Sequence, residues 1–333
     1  MKAILIDAFV SNLSDLRPQN TKPPPRKSEN DVEIRITHAA LSHVDMLYAQ
    51  GLHQNNRRHV VPPFILGTEF AGIDESGRRV FGGGLGSFAE TIRVDSSSTR
   101  LVPNHWTNAE ACAVGASGAV SYGALISVAN LKAGETVLIL GASGGLGVMA
   151  IQIAKAIGVK VIAVVGDEEK GEMVRGIGAD EVVDYRREGW EERVMRLTEG
   201  EEGVDVVYDG VGAVESGIKC LKYRGRLVVV GFAGRGGDIE KVRANRVLLK
   251  SVAVYGYRFG EDGRRFPERT KQVWDGFMKM VDQGKIKPVI YKKKYEGLRD
   301  VSEALLDLKE RRTWGRAIVT INGHGETEVA PKL

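Results

Sequence analysis

Short stretches of alternating polar and apolar residues fill the first third of the chain, and each ends near glycine or serine. Residues 32–36 read Val-Glu-Ile-Arg-Ile, a period of two that is typical of a half-buried β-strand. Further short strands are predicted at residues 1–7, 67–73, 79–81 and 88–94. Four prolines within residues 15–30 predict a surface loop. We therefore expect a compact, mostly β module without parallel crossovers.

Apolar runs alternate with helical patterns through the middle of the chain. Strands are predicted at residues 136–140, 160–165, 181–184, 204–208, 226–230 and 252–255. Helices are predicted at residues 144–157, 168–177 and 191–197, and in the tail two more helices and a strand at 272–281, 298–308 and 317–321. Six apolar runs with intervening helices predict a doubly wound parallel sheet, so the expected fold class is α/β.

Composition and charge exclude several classes of protein. The 41 glycines among 333 residues exceed the usual share of about 7% and gather at the ends of apolar runs, as tight strand-to-helix turns require. The 47 basic and 43 acidic residues are interleaved, so no nucleic-acid partner is expected. Cys112 and Cys220 lie far apart and outside any CxxC motif, which argues against a disulfide scaffold or a zinc knuckle.

The cellular location is predicted from the cysteines, the apolar regions and the last residues. A reducing compartment fits the two cysteines, so we expect a cytoplasmic protein. The first apolar stretch is too short for a signal peptide, and the longest apolar region, 137–165, is broken by lysines and glycines, so no membrane partner is expected. Pro331-Lys332-Leu333 loosely resembles a peroxisomal address, which leaves the peroxisome as the less favoured alternative.

A glycine-rich turn stands between the first predicted parallel strand and its helix. It reads Gly141-Ala142-Ser143-Gly144-Gly145-Leu146-Gly147, with glycines at intervals of three. Glycines permit a tight turn and close backbone approach, and the helix N-terminus offers free N–H groups to a pyrophosphate. In this βαβ context the turn predicts dinucleotide binding, and a glycine-rich packing turn is the alternative.

The end of the second parallel strand decides between NAD and NADP. NAD-binding proteins place an acidic residue there for the ribose 2′-hydroxyl, but this strand ends at Val165-Gly166. Lys170 follows on the next helix and Tyr185 follows the third strand, and a cation with a hydroxyl suits a 2′-phosphate. These residues favour NADPH. Asp167 opposes this interpretation because its carboxylate would repel the phosphate or bind the 2′-hydroxyl.

Several motifs together resemble one family. They are Gly67-Thr68-Glu69-Phe70-Ala71-Gly72, Gly118-Ala119-Val120-Ser121-Tyr122, the 141–147 turn, Gly178-Ala179-Asp180 with Asp184-Tyr185-Arg186, and Val229-Val230-Gly231-Phe232. Nearly the whole chain resembles the zinc-independent quinone oxidoreductases of the medium-chain dehydrogenase/reductase superfamily. The resemblance implies a Rossmann domain at residues 118–258, inserted into a mostly β, GroES-like catalytic domain formed by residues 1–117 and 259–333. It also implies a homodimer paired through the edge strand at 252–255.

The resemblance further implies which residues hold the cofactor. Those implied for the pyrophosphate are Ser143, Gly144, Gly145 and Leu146. Those implied for the 2′-phosphate are Gly166, Lys170 and Tyr185. The nicotinamide half is implied to face residues that end strands at the carboxyl edge of the sheet, where open α/β sheets bind ligands, namely Asp209, Gly210, Val211, Gly231 and Phe232.

No zinc is expected. The positions that carry zinc ligands in zinc-dependent relatives appear here as Ser42, Thr68 and Ala116, and none is a competent ligand. Without a Lewis acid, hydride transfer needs an acceptor that is already electron-poor, such as a quinone or an α,β-unsaturated carbonyl compound. The resemblance implies that Tyr48 lines the substrate pocket and that Ser42 touches nicotinamide or substrate, although Tyr48 also fits a packing role. Asp45 is interpreted as a structural helix residue.

Three functions remain open at this point. The first is NADPH-dependent, zinc-independent hydride transfer to a quinone, and the second is reduction of the C=C bond of enones or enoyl thioesters. The third is a non-catalytic NADPH-binding protein. The polar segment 54–59 is expected to be a loop that borders the cleft or is simply solvated.

Overall fold

The chain folds into two compact units. The structure, a computed structural model, describes residues 1–234 and 240–322. One unit comprises Met1–Ala116 with the described residues from Pro288 onward, and the other comprises Ser117–Lys287. The second unit is therefore inserted in the sequence of the first, with its start one residue before the predicted boundary at 118.

The first unit is mostly β. Its strands are β1 (Lys2–Ile6), β2 (Pro18–Asn20), β3 (Asp31–Ala40), β4 (Phe64–Ile65), β5 (Glu69–Asp74), β6 (Arg79–Gly83), β7 (Thr91–Asp95) and β8 (Thr99–Leu101), and two late strands, β15 (Tyr295–Glu296) and β16 (Ile318–Thr320). Its helices are α1 (His43–Gln50), α2 (Asn108–Val114) and α11 (Val301–Lys309). Two sheets form, in the orders β2-β1-β4 and β15-β16-β3-β5-β6-β8, and β7 pairs with β3.

Antiparallel pairing dominates this unit, and its core joins both ends of the chain. β16 pairs with β3 in the register Val319 to Ala39, so the late strand completes a sheet begun early in the sequence. The main apolar cluster contains Ile4, Leu66 and Phe88 together with Val301 and Leu305 of α11. The unit therefore requires residues from both segments to bury its apolar face.

The second unit is a parallel sheet with helices. Its strands are β9 (Thr136–Leu140), β10 (Lys160–Val165), β11 (Glu181–Asp184), β12 (Val204–Asp209), β13 (Leu221–Val229) and β14 (Ala253–Gly256), in the spatial order β11-β10-β9-β12-β13-β14. Its helices are α3 (Ser117–Tyr122), α4 (Gly145–Ala156), α5 (Glu168–Gly176), α6 (Trp190–Arg196), α7 (Val214–Cys220), α8 (Ala244–Lys250), α9 (Phe259–Arg265) and α10 (Pro267–Asp282). This order reverses direction at β9 and β12, as in a doubly wound Rossmann sheet.

Two features differ from the sequence-based expectations. The predicted loop at 15–30 contains β2, whose residue Asn20 pairs with Lys2 of β1. The first compact unit resumes at Pro288, whereas the sequence predicted a return to the catalytic domain at 259, and α10 belongs to the second unit. The ring of Phe277 in α10 occupies the space beside Gly118, where an added Cβ would lie 2.0 Å from the ring. Phe277 is fully buried.

One helical stretch of the described residues is long and apolar enough to cross a membrane by length and composition alone. It spans Asn108–Val128, and 67% of its apolar window is buried inside the protein. Buried helices of water-soluble cores pass the same criteria, so the stretch is weak support for a membrane span. A π-helical segment, Gly123–Val128, forms its last part.

Candidate functional site

The glycine-rich turn follows β9 and leads into α4. Gly141 adopts a φ of +71°, a backbone conformation that favours glycine. An added Cβ at Gly147 would lie 2.4 Å from the Gly141 carbonyl oxygen, so Gly147 allows the helix to pack closely on the turn. At Gly144 an added Cβ would meet only that same oxygen, at 3.6 Å. The exposed space beside Gly144 is therefore open to a ligand.

The first turn of α4 faces this open space. Gly144 is the N-cap, and no side chain caps the helix with a hydrogen bond. Unpaired N–H groups and the positive end of the helix dipole make such a terminus suited to a phosphate group. The predicted pyrophosphate residues Ser143, Gly145 and Leu146 lie at this terminus. The uncapped start of α4 and the open space beside Gly144 thus fit the diphosphate of a dinucleotide.

A buried pair of hydroxyl groups supports the same turn. Ser121 Oγ donates to the Leu146 carbonyl oxygen at 2.9 Å and lies 2.9 Å from the hydroxyl oxygen of Tyr208. Because the single Ser121 proton is used on the carbonyl, the Tyr208 hydroxyl donates to Ser121. Burial raises the pKa of Tyr208, which keeps this donor protonated. These hydrogen bonds tie α4 to β12, a role that the sequence motif around Ser121 did not reveal.

The structure brings the predicted 2′-phosphate residues together at the ends of β10 and β11. The ring of Tyr185 covers Gly166, where an added Cβ would lie 3.0 Å from the ring. Lys170 Nζ donates to Asp167 Oδ2 at 2.8 Å, and the Lys170 backbone N–H donates to Asp167 Oδ1 at 2.9 Å. Partial burial raises the pKa of Asp167, but the hydrogen bonds from Lys170 outweigh it and hold the pKa below its usual value. Lys170, which was predicted to bind the 2′-phosphate, is therefore already paired with the ionised carboxylate of Asp167.

The residues predicted for the nicotinamide half meet at the carboxyl ends of β9, β12 and β13. An added Cβ at Gly141 would lie 2.7 Å from Val211 Cγ1, and one at Gly231 would lie 3.0 Å from the Gly210 carbonyl oxygen. Phe232 follows with an exposed ring. The positive φ of Gly141 favours glycine there, and the 3.0 Å approach at Gly231 leaves little room for a larger residue. The backbone of this edge is therefore shaped in part by residues that the sequence had singled out.

Asp209 is buried, unlike the other residues that were predicted to face the nicotinamide half of the cofactor. Its side chain is fully buried, and Oδ1 accepts hydrogen bonds from the backbone N–H groups of Val211 and Gly212 at 2.9 and 2.8 Å. Oδ2 is buried without a hydrogen-bond partner. Burial raises the pKa of Asp209, against the lowering effect of the backbone hydrogen bonds. Contact of Asp209 with a cofactor stays a prediction, whereas its carboxyl group visibly shapes the turn after β12.

A cluster of hydroxyl groups around one carboxyl group lies where α1 begins in the first unit. Asp45 Oδ2 accepts from the Ser42 backbone N–H at 2.8 Å and from Ser42 Oγ at 2.9 Å. Asp45 Oδ1 accepts from Thr68 Oγ1 at 2.9 Å, and the two hydroxyl oxygens lie 3.3 Å apart. Asp45 is fully buried, whereas Ser42 and Thr68 are partly accessible. Asp45 thus anchors the hydroxyls of both Ser42 and Thr68, which the sequence resemblance matched to zinc-ligand positions.

Buried charges surround this cluster. Burial raises the pKa of Asp45 to about 6, while hydrogen bonds from Ser42 and Thr68 oppose the rise and the nearby Glu69 carboxylate adds to it. Glu69 itself forms a buried ion pair with Arg316, the residue two before β16. Burial disfavours the charge of Arg316, but Glu69 outweighs burial and raises its pKa. The pair compensates two charges that would otherwise be costly to bury.

Tyr48, a predicted catalytic residue, belongs to the apolar core of the first unit. It is 8% exposed, and its ring meets the His53 ring edge-on at 4.6 Å between centroids. Asn55 Nδ2 donates to the Tyr48 hydroxyl oxygen at 3.0 Å. The segment expected to be a loop contains a short 3₁₀ helix, Gln54–Arg57, held against the end of α1. This packing agrees with the alternative role of Tyr48, and contact with substrate stays a prediction.

Side chains suited to zinc are not grouped in the described part of the chain. Ser42 and Thr68 present neutral hydroxyl groups and Ala116 a methyl group, whereas zinc sites use thiolate, imidazole and carboxylate ligands. Within residues 1–234 and 240–322, no three His, Cys, Asp or Glu side chains come together as a metal site. Cys112 and Cys220 are both buried free thiols.

The chain is similar to known proteins along most of its length. The family described as zinc-binding dehydrogenase matches residues 145–278. Quinone oxidoreductase-like protein 2 of Bos taurus is 32% identical over 307 residues, which are 88% of this chain and 85% of that protein. The chain belongs to the quinone oxidoreductase-like family of the medium-chain dehydrogenase/reductase superfamily. The family and the fold class predicted from the sequence are therefore confirmed, and the protein is an oxidoreductase of this superfamily.

Two further members of the superfamily bear on the chemistry. The crystal structure of Escherichia coli quinone oxidoreductase complexed with NADPH has a TM-score of 0.85 and 26% identity, and the match covers 96% of this chain and 100% of that one. Acryloyl-coenzyme A reductase of Sulfurisphaera tokodaii is 27% identical over 337 residues, or 89% of this chain and 94% of that protein. The family therefore includes proteins named for quinones and for enoyl thioesters.

Sequence reasoning missed the hydrogen bonds that organise the hydroxyl cluster. The Ser42-x-x-Asp45 spacing is that of a capping box, in which a side chain at the third helical position reaches back to the N-cap. That spacing was a usable signal for the Ser42–Asp45 contact. Thr68 lies 23 residues away from Asp45, and its hydrogen bond depends on the pairing of β5 with β3. No local pattern predicts such a contact.

Proposed function

We propose that this protein is an NADPH-dependent oxidoreductase that transfers hydride to a quinone without a metal. The observation that carries the proposal is the Asp45-anchored pair of hydroxyls, Ser42 and Thr68. The family resemblance matches these two residues to positions where zinc-dependent relatives hold their metal. Neutral hydroxyls polarise a carbonyl group only weakly compared with zinc. The acceptor must therefore be electron-poor before it binds, as a quinone is.

The cofactor proposal is supported by the glycine turn and by the corner at Gly166. Open space beside Gly144 and the uncapped start of α4 fit a pyrophosphate. Lys170 and Tyr185, which we propose for the 2′-phosphate, lie beside Asp167 and Gly166. The solved relative from Escherichia coli is complexed with NADPH. When bound, NADPH supplies a hydride from its nicotinamide ring.

Reduction of the C=C bond of an enone or an enoyl thioester is the second candidate. The similarity to acryloyl-coenzyme A reductase favours it. The chemistry is related, because hydride then adds to the β-carbon of a C=C bond that is conjugated to a carbonyl group. A hydrogen bond from the Thr68 hydroxyl would suit a quinone oxygen and an enone oxygen equally.

Turnover with matched acceptors tests the proposal. Oxidation of NADPH is followed with 1,4-naphthoquinone, 2-cyclohexenone and acryloyl-coenzyme A, with NADH as the parallel cofactor. Faster turnover of the quinone supports the proposal, and faster turnover of acryloyl-coenzyme A replaces it with the second candidate. If NADPH binds by fluorescence titration while no acceptor is reduced, the protein is a non-catalytic NADPH-binding protein.

Two further proposals concern the surroundings of the protein. We propose that it acts as a homodimer on small molecules, with neither nucleic acid nor membrane as a partner. The cytoplasm is the proposed location. The peroxisomal alternative depends on the final residues, 331–333, which lie outside the described part of the chain.

A further inference from the structure

The hydroxyl cluster around Asp45 has a proton arrangement that depends on the charge of the carboxyl group. In the ionised state the carboxylate has no proton to donate and accepts from both hydroxyls. Ser42 Oγ donates to Oδ2 at 2.9 Å and Thr68 Oγ1 donates to Oδ1 at 2.9 Å. Each hydroxyl carries a single proton, so both protons are directed at Asp45. Neither hydroxyl can then donate to a bound acceptor.

Protonation of Asp45 changes this arrangement at one oxygen. Oδ2 already accepts from the Ser42 backbone N–H and from Ser42 Oγ, whereas Oδ1 accepts only from Thr68. A proton on Oδ1 therefore displaces a single hydrogen bond. The carboxyl group then donates to Thr68 Oγ1, and the proton of the Thr68 hydroxyl becomes available to another oxygen.

We propose that the Thr68 hydroxyl donates a hydrogen bond to the carbonyl oxygen of the acceptor, and that Asp45 controls this donor through its own protonation. The inference rests on the proposed function and deepens it, because it names the group that polarises the acceptor. Thr68 is partly accessible and Asp45 is fully buried, so the donor reaches a ligand while its control group does not. Thr68 is then a catalytic residue and Asp45 a positioning residue.

The reaction balances without consuming either side chain. A quinone receives a hydride from NADPH and a proton from solvent, which gives a hydroquinone and NADP⁺. The hydrogen bond from Thr68 stabilises the negative charge that develops on the acceptor oxygen during hydride transfer. Asp45 keeps its proton through this step and exchanges it with solvent between turnovers.

Burial and the charges around Asp45 bring its pKa into a pH range that kinetic experiments can cover. Burial raises the pKa of Asp45 to about 6, and Glu69 on β5 adds to the effect. Arg316, which faces both carboxyl groups, is paired with Glu69. On α1 itself, burial and then Arg311 lower the pKa of His43. The protonated fraction of Asp45 is therefore high below about pH 6 and falls as the pH rises, and the donor is lost with it.

Kinetic pH profiles test the control by Asp45. The ratio kcat/KM for 1,4-naphthoquinone is measured from about pH 5 to about pH 8 in the wild type, Thr68→Val, Thr68→Ser and Asp45→Asn. We expect the wild-type ratio to fall about five- to tenfold with rising pH, the effect of one hydrogen bond. Thr68→Val should remove this dependence and remain at the high-pH level, and Thr68→Ser should restore it. Asp45→Asn should remain at the low-pH level throughout, because its amide donates as the protonated acid does.

A measurement without turnover separates this inference from the proposed function. Carboxyl ¹³C NMR of the enzyme, assigned by Asp45→Asn, follows the titration of Asp45. Thr68→Val should raise the pKa of Asp45, because the carboxylate loses a donor. If Thr68→Val raises the pKa of Asp45 but no acceptor is reduced, the proposed function fails, whereas the control of the Thr68 hydroxyl by Asp45 stands. A pH profile unchanged in Thr68→Val, or an Asp45 that remains ionised below about pH 4, overturns the inference.

Discussion

The ammonium group of Lys170 lies 2.8 Å from the carboxylate of Asp167, three residues earlier in the chain. The same carboxylate accepts from the Lys170 backbone N–H and so also caps α5. Lys170 is thus neutralised before any cofactor binds. A 2′-phosphate must either displace Asp167 or bind beside it, and the preference for NADPH over NADH depends on which occurs.

Asp167→Ser should strengthen NADPH binding. Serine removes the competing charge and still caps the helix, because its hydroxyl can accept from the same backbone N–H. Freeing one charged hydrogen bond is worth roughly 1.5–3 kcal/mol, so the Kd for NADPH should fall about tenfold or more. Fluorescence titration measures it, with the melting temperature as the control for folding. A rise in NADPH affinity matched by NADH would contradict this explanation.

Lys170→Ala should weaken NADPH much more than NADH. Only NADPH carries a 2′-phosphate. Loss of the Lys170 ammonium group should therefore raise the Kd for NADPH about tenfold while the Kd for NADH stays nearly constant. The ratio of the two dissociation constants is the quantity to measure. Equal losses for both cofactors would show that Lys170 only supports the fold, and a wild-type preference for NADH would show that Asp167 binds the ribose hydroxyl.

The parallel sheet was predictable because its strands are buried on both faces. β9 and β11 have the predicted bounds, Thr136–Leu140 and Glu181–Asp184, since each is a short apolar or half-apolar run between turn residues. β2 was missed because three polar residues, Pro18–Asn20, form a strand only through pairing with β1. Long-range pairing of this kind leaves no local pattern.

The cofactor site was more predictable than the acceptor site for a similar reason. Residues of the glycine turn are adjacent in sequence, so their spacing carries the geometry. The cluster of Ser42, Asp45 and Thr68 depends on a hydrogen bond between α1 and the residue before β5, which are far apart in the sequence. The Glu69–Arg316 pair joins residues 247 positions apart. Burial, which sets the pKa of Asp45, likewise arises from the whole unit rather than from nearby residues.

Removal of metal should leave the enzyme unchanged. Hydroxyl and methyl groups at the three zinc positions cannot hold zinc with useful affinity. Elemental analysis of purified protein should give far less than one zinc per chain, and incubation with EDTA should not alter turnover of 1,4-naphthoquinone. Stoichiometric zinc together with activity that EDTA abolishes would refute the prediction.

The edge of the parallel sheet should pair with a second copy of the chain. β14 is the last strand of its sheet, and its residues Val254 and Tyr255 are exposed. On α8, Leu248 and Leu249 are 76% and 73% exposed. Exposed apolar residues beside an unpaired edge are typical of an interface. Sedimentation should give a mass near twice 36.3 kDa.

Val254→Lys supplies the matched test of that interface. A charge on the edge strand opposes pairing between copies, so this variant should sediment as a monomer with its melting curve and NADPH affinity little changed. A wild-type protein that remains monomeric at micromolar concentration would remove the dimer from the proposal. A Val254→Lys variant that stays dimeric would place the interface elsewhere.

Alanine at three glycines should separate cofactor binding from folding. At Gly144 the new methyl group enters open space, 3.6 Å from the nearest backbone oxygen, where the pyrophosphate is proposed to bind. At Gly147 the methyl group would lie 2.4 Å from a backbone oxygen of the turn, so the helix must shift. Gly176, at the end of α5, has no atom within 4 Å of an added Cβ and serves as the control.

Gly144→Ala should therefore raise the Kd for NADPH about tenfold or more with only a small change in melting temperature, because it obstructs the ligand rather than the fold. Gly147→Ala should cost about 1–3 kcal/mol of unfolding free energy, as overpacking does. Gly176→Ala should change neither quantity appreciably. Calorimetry gives the stabilities and fluorescence titration the affinities. If Gly144→Ala bound NADPH as the wild type does, the diphosphate would have to lie away from the start of α4, and the glycine turn would be a packing turn after all.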